Sequence, residues 1–246
     1  MRIPLRTSTA ILAACLPALS RAAVVSETYT FGDAPLPLTP ADGAGSPASD
    51  SRAIAGSAIQ YITDIDVHFS LTNPGQAGAF NGDYYVSLQH ESGFTILLNR
   101  VGRRGTTGSQ ALGYGDNGFD VTFDDQSSLG DIHLYRALVP DGSHTTPIDT
   151  LFVQPLSGTW APDGRNTSPL TVLGTDPRNS LLSVFNGLPA NGVWTLQVID
   201  FNSGGTANLT GWGINVTGSN VPEAGASEAA ALILLAMAFW RRGFNR

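Results

Sequence analysis

The feature that most constrains the fold is an alternation of apolar and polar residues in short runs separated by turns. In the run IDVHFSL every second residue is apolar. Successive side chains of a strand point to opposite faces, so this run predicts a strand that is buried on one face. Its apolar positions are Ile65, Val67, Phe69 and Leu71. Between residues 24 and 218 the sequence has no helical period of useful length.

The same alternation recurs along the chain. In DYYVSLQHESGFTILL the inward positions are Tyr84, Val86 and Leu88. The segment Glu91–Gly93 then predicts the turn of a hairpin into a second apolar run. Further alternating runs begin at Trp194 and at Trp212, on either side of the turn NSGG. These patterns predict an all-β protein, an antiparallel β-sandwich with jelly-roll or Greek-key connections.

Two segments rich in small and turn-forming residues interrupt this pattern. After Thr30, a stretch dense in proline, glycine, alanine and serine predicts a surface loop that follows one short strand. The segment Pro155–Ser180 predicts a long excursion between strands. We therefore expect both segments to lie outside the sheets.

The charge balance excludes one class of partner. Residues 23–220 contain 18 acidic residues and seven arginines, and the whole chain has no lysine. A nucleic-acid interface needs a basic surface, so we predict no nucleic-acid partner. Charged residues make up only 13% of the chain. Glycine, proline, serine, threonine and asparagine replace them, which is typical of an extracellular β protein with many turns.

The first 22 residues have the order of a secretory signal peptide. Two arginines precede an apolar run, and Ser20 and Ala22 are small residues three and one positions before the predicted cleavage point. We predict cleavage between Ala22 and Ala23, and therefore export. The segment Leu12–Cys15 also resembles a bacterial lipobox, which would make Cys15 the lipidated first residue instead. No other cysteine occurs in the chain.

The segment 62–102 resembles the P domain (P/Homo B domain) of proprotein convertases and bacterial subtilisin-like proteases. That family pairs an I-x-D-V-x-V strand with a later GDL strand and an sPsG turn before an apolar strand. The corresponding segments here are Ile62–Val67, Gly82–Tyr84 and Glu91–Gly93. The run DNGFDVTFDDQS at 116–127 is similar to the TVFDDEA element of the family.

The run SLLSVFNGLPANGVWTLQVIDFNSGGTANLTGWGINVTG at 180–218 is similar to the closing signature of that family. The resemblance covers most of residues 54–218. It implies a jelly-roll β-sandwich that is not itself catalytic and that accompanies a subtilisin-like serine endopeptidase. We expect four parts: a signal peptide at 1–22, an N-terminal strand and loop at 23–53, the P-domain-like sandwich at 54–218, and a tail at 219–246.

The tail resembles the PEP-CTERM sorting signal of Gram-negative bacteria. Its motif is Val221, Pro222 and Glu223, and Arg241 and Arg242 follow an apolar segment. The resemblance implies that the tail enters the inner membrane transiently and that an exosortase-type enzyme processes it. A plain membrane anchor is the alternative, because the roughly 17 residues before the arginines are near the lower limit for a spanning helix. The arginines would then stay on the cytoplasmic side. We predict helices for both this segment and the signal peptide.

The sequence gives little indication of catalysis. A serine hydrolase needs a nucleophile, a base and an orienting acid on one scaffold. The four histidines fall in predicted strands or loops without catalytic or metal-binding spacing: His68, His90, His133 and His144. Trp194 and Trp212 are predicted core residues, whereas Trp160 is predicted to face a ligand.

Aspartates are the candidate metal ligands, because Ca²⁺ prefers hard oxygen ligands. Acidic residues cluster in GDNGFDVTFDD, which includes Asp116, and further aspartates close two strands of the family signature. This cluster does not have the EF-hand spacing. The alternative is a solvated acidic loop without a metal. The candidate calcium ligands are Asp83, Asp120, Asp124, Asp125 and Asp200.

Together these patterns predict an exported, non-catalytic β-sandwich module at the envelope or in the extracellular matrix of a Gram-negative bacterium. An exopolysaccharide is the partner expected for such a module. The alternative is an accessory P domain that acts with a subtilisin-like serine endopeptidase in trans.

Overall fold

Two β-sheets packed face to face form the part of the chain that this computed structural model describes: residues 23–32, 39–43, 45–73, 78–138, 154–205 and 207–220. The strands are β1 (Val25–Phe31), β2 (Pro47–Ile54), β3 (Tyr61–Thr72), β4 (Tyr84–His90), β5 (Gly93–Asn99), β6 (Phe119–Phe123), β7 (Leu156–Trp160), β8 (Gly192–Asp200) and β9 (Asn208–Ser219). Helical structure in these residues is limited to one turn, α1 (Tyr135–Leu138), and the short 3-10 segments Asn81–Asp83, Gly108–Ala111, Ile132–Leu134 and Leu182–Phe185. The predicted all-β sandwich is confirmed.

The strand order is that of a jelly roll with one strand added. One sheet has the order β1-β9-β3-β6-β7, and the other has the order β2-β8-β4-β5. When β7 is set aside, the remaining eight strands form the two interlocked Greek keys of a jelly roll. The added strand β7 pairs with β6 in parallel. The sandwich is therefore antiparallel except at this edge.

The inner faces of the two sheets carry the residues that the alternation predicts. On β3, residues 65, 67, 69 and 71 are at most 2% exposed, while His68 between them faces solvent. On β4, Tyr84 and its two alternate neighbours are fully buried. Trp194 on β8 and Trp212 on β9 are buried, as predicted. Each such large apolar side chain contributes about 1.5–3 kcal/mol by leaving water.

The predicted hairpin joins β4 to β5. His90 pairs with Gly93, so Glu91 and Ser92 form a two-residue turn. Glu91 has a φ of 49°, in the left-handed region that turns of this kind use. A Cβ on Gly93 would lie 2.5 Å from the ring of Phe185, so packing explains the glycine.

Strand β2 lies in the stretch that was predicted to be a loop. It pairs along its whole length with β8, at the edge of the four-stranded sheet. Its first residue, Pro47, has no N–H to donate, and an edge strand tolerates this because one side of the strand needs no partner. Asp50 and Ile54 are its buried residues. The sequence pattern did not predict this strand, because most of its side chains are small or polar and give no apolar alternation.

Strand β7 lies in the second stretch that was predicted to be a loop, and it includes Trp160. Only 2% of Trp160 is exposed, and its Nε1 donates to the Ser157 carbonyl at 3.0 Å. The hypothesis that Trp160 faces a ligand is therefore wrong. Pairing with β6 places this side chain inside the sandwich, where its ring packs edge-on against Tyr135.

The rest of that stretch, residues 161–180, covers the edge strand β5. Ile96 donates its N–H to the Ser180 carbonyl at 3.1 Å, and Gly164 donates its N–H to the Ile96 carbonyl at 2.9 Å. These bonds satisfy polar groups that an open sheet edge would leave unpaired.

Several predicted features lie outside the described residues. They are the signal peptide with Cys15 and Ala22, the histidine at 144, and the tail with its motif at 221–223 and its arginines at 241 and 242. Within the part of the chain that the structure describes, no helix has the length and apolar character needed to cross a membrane.

Candidate functional site

A cleft opens where β4 begins and β8 ends, and we call it the β4–β8 cleft. Its volume is about 260 Å³. Two glycines at 113 and 115 form part of its backbone wall. The side chains that line it are Phe80, Leu112, Tyr114, Asp83, Asn202 and Ser203. The cleft thus combines an apolar wall with a polar end.

Backbone hydrogen bonds hold three segments around this cleft. Gly82 donates its N–H to the Tyr114 carbonyl at 2.7 Å, and Phe201 donates to the Asp83 carbonyl at 2.9 Å. A Cβ on Gly82 would lie 2.4 Å from the Leu112 carbonyl oxygen. Only glycine allows the two segments to approach this closely. The backbone of Gly82 and Asp83 therefore joins the other two segments around the cleft.

Phe80 adopts an uncommon backbone conformation at the rim of the cleft. Its φ is 52° and its ψ is 78°. A non-glycine residue in this region costs on the order of 1–3 kcal/mol, and such residues cluster at functional sites. The neighbouring Gly205 leaves room for the ring, since a Cβ there would lie 2.7 Å from it. The fold thus holds an aromatic ring at the rim at a cost in backbone strain.

Asp83 is the charged group of the cleft, and only 7% of its side chain is exposed. Asn202 donates its Nδ2 to Oδ1 at 2.7 Å, and an Arg100 guanidinium nitrogen lies 3.7 Å from the same oxygen. Burial raises the pKa of Asp83 to about 7, although the Asn202 hydrogen bond and Arg100 partly oppose this. A carboxyl group that titrates near neutrality in a cleft is a candidate functional group.

Two more carboxylates lie behind Asp83. Asp200 is buried, accepts a hydrogen bond from the Asn202 N–H at 3.1 Å, and has its pKa raised to about 6 by burial. Asp42 is exposed and accepts from the Gly204 N–H at 3.0 Å. Its charge raises the pKa of both Asp83 and Asp200.

The hydroxyl of Tyr84 is buried beside Asp200. Among the described residues, no group completes a hydrogen bond of acceptable geometry with it. Burial and the nearby carboxylates raise the pKa of Tyr84 far above its ordinary value. This end of the sandwich therefore concentrates negative charge next to a buried tyrosine hydroxyl.

The outer face of the five-stranded sheet carries a separate group of carboxylates. Asp120 on β6 lies 3.1 Å from Nε2 of His68, and both side chains are more than half exposed. Burial, followed by the charge of Asp124, raises the pKa of Asp64 and of Asp66 on this face. These side chains are solvated or half-buried, in contrast to Asp83.

Asp125 has a different role, although it is next to Asp124 in the sequence. Its carboxylate accepts from the N–H groups of Leu182 and Ser183 at 3.0 and 2.8 Å. These donors open the 3-10 segment Leu182–Phe185, so Asp125 caps this segment. It ties the turn after β6 to the segment before β8.

The five predicted calcium ligands therefore lie in three places. Asp83 and Asp200 meet at the β4–β8 cleft, Asp120 and Asp124 lie on the outer face, and Asp125 caps a 3-10 segment. Within the described ranges, no three or more His, Cys, Asp or Glu side chains are grouped so as to hold a metal ion. Calcium binding at any of these places stays a prediction.

Two buried histidines have structural partners. His90 stacks on Trp194 with 3.9 Å between the ring centroids. His133 Nδ1 lies 2.7 Å from the Asp163 carboxylate, and both side chains are fully buried. Arg165 contacts the same carboxylate and also Asp131, at 2.6 Å. This network anchors the segment that covers β5.

Sequence reasoning missed most of the cleft residues. Asn202 and Leu112 lie in turns, and nothing in their local pattern distinguishes them from other turn residues. The one available signal was the run at 82–84, in which a glycine precedes an aspartate at the start of a strand. The family resemblance identified that run, but the partners of Asp83 come from segments far away in the sequence.

Comparison with known proteins gives limited information. No protein-family model matches the chain, and no curated protein matches it significantly. The complex of the Aeromonas sobria serine protease (ASP) with the chaperone ORF2 contains a similar chain, with 15% identity over 81% of this chain and a TM-score of 0.39. The structure of the Aeromonas sobria serine protease is similar over 80% of this chain, with 15% identity and a TM-score of 0.41. This chain spans 28% and 27% of the length of those chains. Both likenesses are too low to carry an argument about function.

Proposed function

We propose that this chain is an exported, non-catalytic β-sandwich module that acts at the bacterial surface or in the extracellular matrix. Its N-terminal segment directs export, and its C-terminal tail directs sorting. An exopolysaccharide of the matrix is the partner that this role implies. The module would then contribute binding and structure rather than turnover.

The proposal rests mainly on where the P-domain-like segments lie in the sandwich. The segments that resemble a P domain occupy central strands: 62–67 lies in β3, and 180–218 spans β8 and β9. The tryptophans at 194 and 212 in the closing signature fill the core. The motifs therefore belong to the sandwich itself, and the P-domain resemblance that they carry implies a non-catalytic module.

The absence of turnover can be tested directly. Residues 23–220 should be soluble when expressed alone and should give a β-dominated circular dichroism spectrum. They should not hydrolyse casein or small esters. Hydrolysis that remains constant per milligram through further purification would contradict the non-catalytic role.

Processing of the tail tests the sorting part of the proposal. In a Gram-negative host with an exosortase, the mature protein should end close to residue 222. The double variant Pro222→Ala with Glu223→Ala should leave a longer, membrane-bound form, while Glu228→Ala in the same tail serves as the matched control. Mass spectrometry of the surface protein decides between the alternatives. A mature chain that still ends at Arg246 would make the tail an ordinary anchor.

The second candidate function is accessory to proteolysis, and the resemblance to the P domain favours it. In that case the module would stabilise or regulate a subtilisin-like serine endopeptidase encoded elsewhere. Capture of partners from culture supernatant separates the two functions. Recovery of a serine protease whose activity changes on addition of the module supports the accessory function, whereas recovery of polysaccharide supports the matrix function.

A further inference from the structure

The β4–β8 cleft has an excess of negative charge. Asp42, Asp83 and Asp200 act on one another electrostatically. Among the described residues, Arg100 is the one cation within ion-pair distance of any of them, 3.7 Å from Asp83. Arg100 also donates hydrogen bonds to the carbonyl groups of Gly82 and Ala111, so its charge is shared with the backbone. The cleft is therefore complementary to a positive ligand.

One oxygen of Asp83 is available to such a ligand. The Asn202 hydrogen bond and the Arg100 contact both go to Oδ1. This leaves Oδ2 without a donor from the described part of the chain. Because Asp83 lines the cleft, a donor that enters the cleft can reach this oxygen. A second acceptor is close by, since Asn202 and Ser203 line the same end.

The apolar side chains that line the cleft favour an organic cation over a metal ion. Ca²⁺ takes six to eight oxygen ligands, whereas three of the side chains that line this cleft, those of Phe80, Leu112 and Tyr114, are largely apolar. Leu112 is 42% exposed, so its apolar side chain is accessible to a ligand that enters the cleft. A volume of about 260 Å³ is smaller than a typical drug-sized pocket and suits a single side chain.

We propose that the β4–β8 cleft binds the guanidinium group of an arginine side chain on a partner protein, with Asp83 as its counter-ion and with Phe80 and Leu112 packed against its methylene groups. A planar guanidinium can stack on an aromatic ring and donate two parallel hydrogen bonds to a carboxylate. Burial of Asp83 beside two other carboxylates holds its pKa near 7, so a bound cation relieves an existing electrostatic cost. This inference is independent of the proposed function.

Calorimetric titration of the full chain tests the assignment. The probe is Nα-acetyl-arginine amide at about pH 8, where Asp83 is ionised. Nα-acetyl-citrulline amide is the neutral control of nearly the same shape. The arginine derivative should bind saturably and about tenfold more tightly than the citrulline derivative. No binding of the arginine derivative at tens of millimolar, or equal binding of both derivatives, would overturn the proposal.

Matched variants locate the site. Asp83→Asn should weaken arginine binding about tenfold, while Asp120→Asn on the exposed outer face should leave it unchanged. Leu112→Ala, at an exposed position, should weaken binding severalfold by removing one of the three large apolar side chains that line the cleft. This second variant decides the matter if Asp83→Asn does not fold. Unchanged binding in a folded cleft variant contradicts the proposal.

Competing ligands complete the test. Equal binding of Nα-acetyl-lysine amide would overturn the choice of a guanidinium. Calcium or a monosaccharide that binds this cleft while the arginine derivative does not would overturn the assignment as a whole. The citrulline derivative should displace the bound arginine derivative only at about tenfold higher concentration than unlabelled arginine derivative does.

Discussion

Asp116 and Asp120 lie four residues apart in the run GDNGFDVTFDD, yet the fold gives them opposite surroundings. Asp116 is fully buried near the β4–β8 cleft, where Nε and Nη2 of Arg136 each donate to its carboxylate at 2.9 Å. Tyr135 donates its hydroxyl to the same group. Asp120 lies on the outer face of the five-stranded sheet, mostly exposed, beside His68. The same residue type thus stabilises the interior at one position and interacts mainly with water at the other.

The position of an acidic residue relative to strand β6 decides its role here. Asp116 lies just before β6 and accepts hydrogen bonds from Arg136, which is on the one-turn helix α1. Asp120 is within β6, on the face that alternation directs outward. Removing one partner of a buried ion pair is costly, because the other charge then lies in the interior without its partner and without water. An exposed ion pair contributes little, because water and salt screen it.

The largest expected effect comes from removing the buried carboxylate. Asp116→Ala should destabilise the protein by about 3–5 kcal/mol, because it removes the carboxylate that accepts two hydrogen bonds from the buried Arg136 guanidinium. Asp120→Ala should change stability by no more than about 0.5 kcal/mol. Urea denaturation followed by tryptophan fluorescence measures both values. Similar losses for the two variants would remove the distinction between these regions.

The double variant Asp116→Ala with Arg136→Met is the control for this mechanism. It removes both charges, so its loss should be smaller than that of Asp116→Ala alone. If the double variant is the least stable, lost packing rather than the lost ion pair would account for the loss.

The next effect concerns pH. The pKa of Asp83 is about 7 in the folded protein, against an ordinary value of 3.8. Below pH 3.8 both states carry the proton, and as the pH rises the unfolded state ionises first. The contribution of Asp83 to stability is therefore present in acid and is lost as the pH rises through about 7. Thermal melting should show that this contribution is smaller at pH 8 than at pH 5.

Asp83→Asn should remove this contribution, so the variant should gain melting temperature relative to wild type as the pH rises. Asp200, with a pKa of about 6, retains a smaller dependence in the same direction. Asp120→Asn is the matched control on the outer face and should follow the wild-type curve. A difference between Asp83→Asn and wild type that does not vary with pH would contradict the role of burial.

Calcium should have a smaller effect that discriminates between the regions. A ligand that binds only the folded state raises its melting temperature. If the ions bind at the cleft, Asp83→Asn or Asp200→Asn should abolish the rise in millimolar calcium. If they bind near the outer face, Asp124→Asn combined with Asp125→Asn should abolish it. Equal melting temperatures with calcium and with chelator would show that neither region binds the ion.

The smallest effect should be the coupling between His68 and Asp120. A double-mutant cycle with alanine at both positions should give about 0–1 kcal/mol, since both side chains are more than half exposed. The coupling should fall further in high salt. A value as large as that of the Asp116 and Arg136 pair would mean that the outer face is covered in solution.

Much of the fold could be predicted from local pattern because burial on one face leaves a period of two. The inward positions of β3 and β4, the hairpin after β4 and the core tryptophans at 194 and 212 all followed from that period. Strands β2 and β7 could not be predicted in this way. Both lie at or beside an edge and are built largely from small polar residues, so they carry little apolar signal.

The sequence alone determined that the chain forms β-strands, that its core lies on alternate positions, and that acidic residues far outnumber basic ones between residues 23 and 220. Which aspartates meet depends instead on how the strands pair. Asp83, Asp200 and Asn202 come together because β4 and β8 pair, although more than a hundred residues separate Asp83 from the other two. Burial, charge and the pKa of a carboxyl group depend on such neighbours in space, and a local pattern contains no information about them.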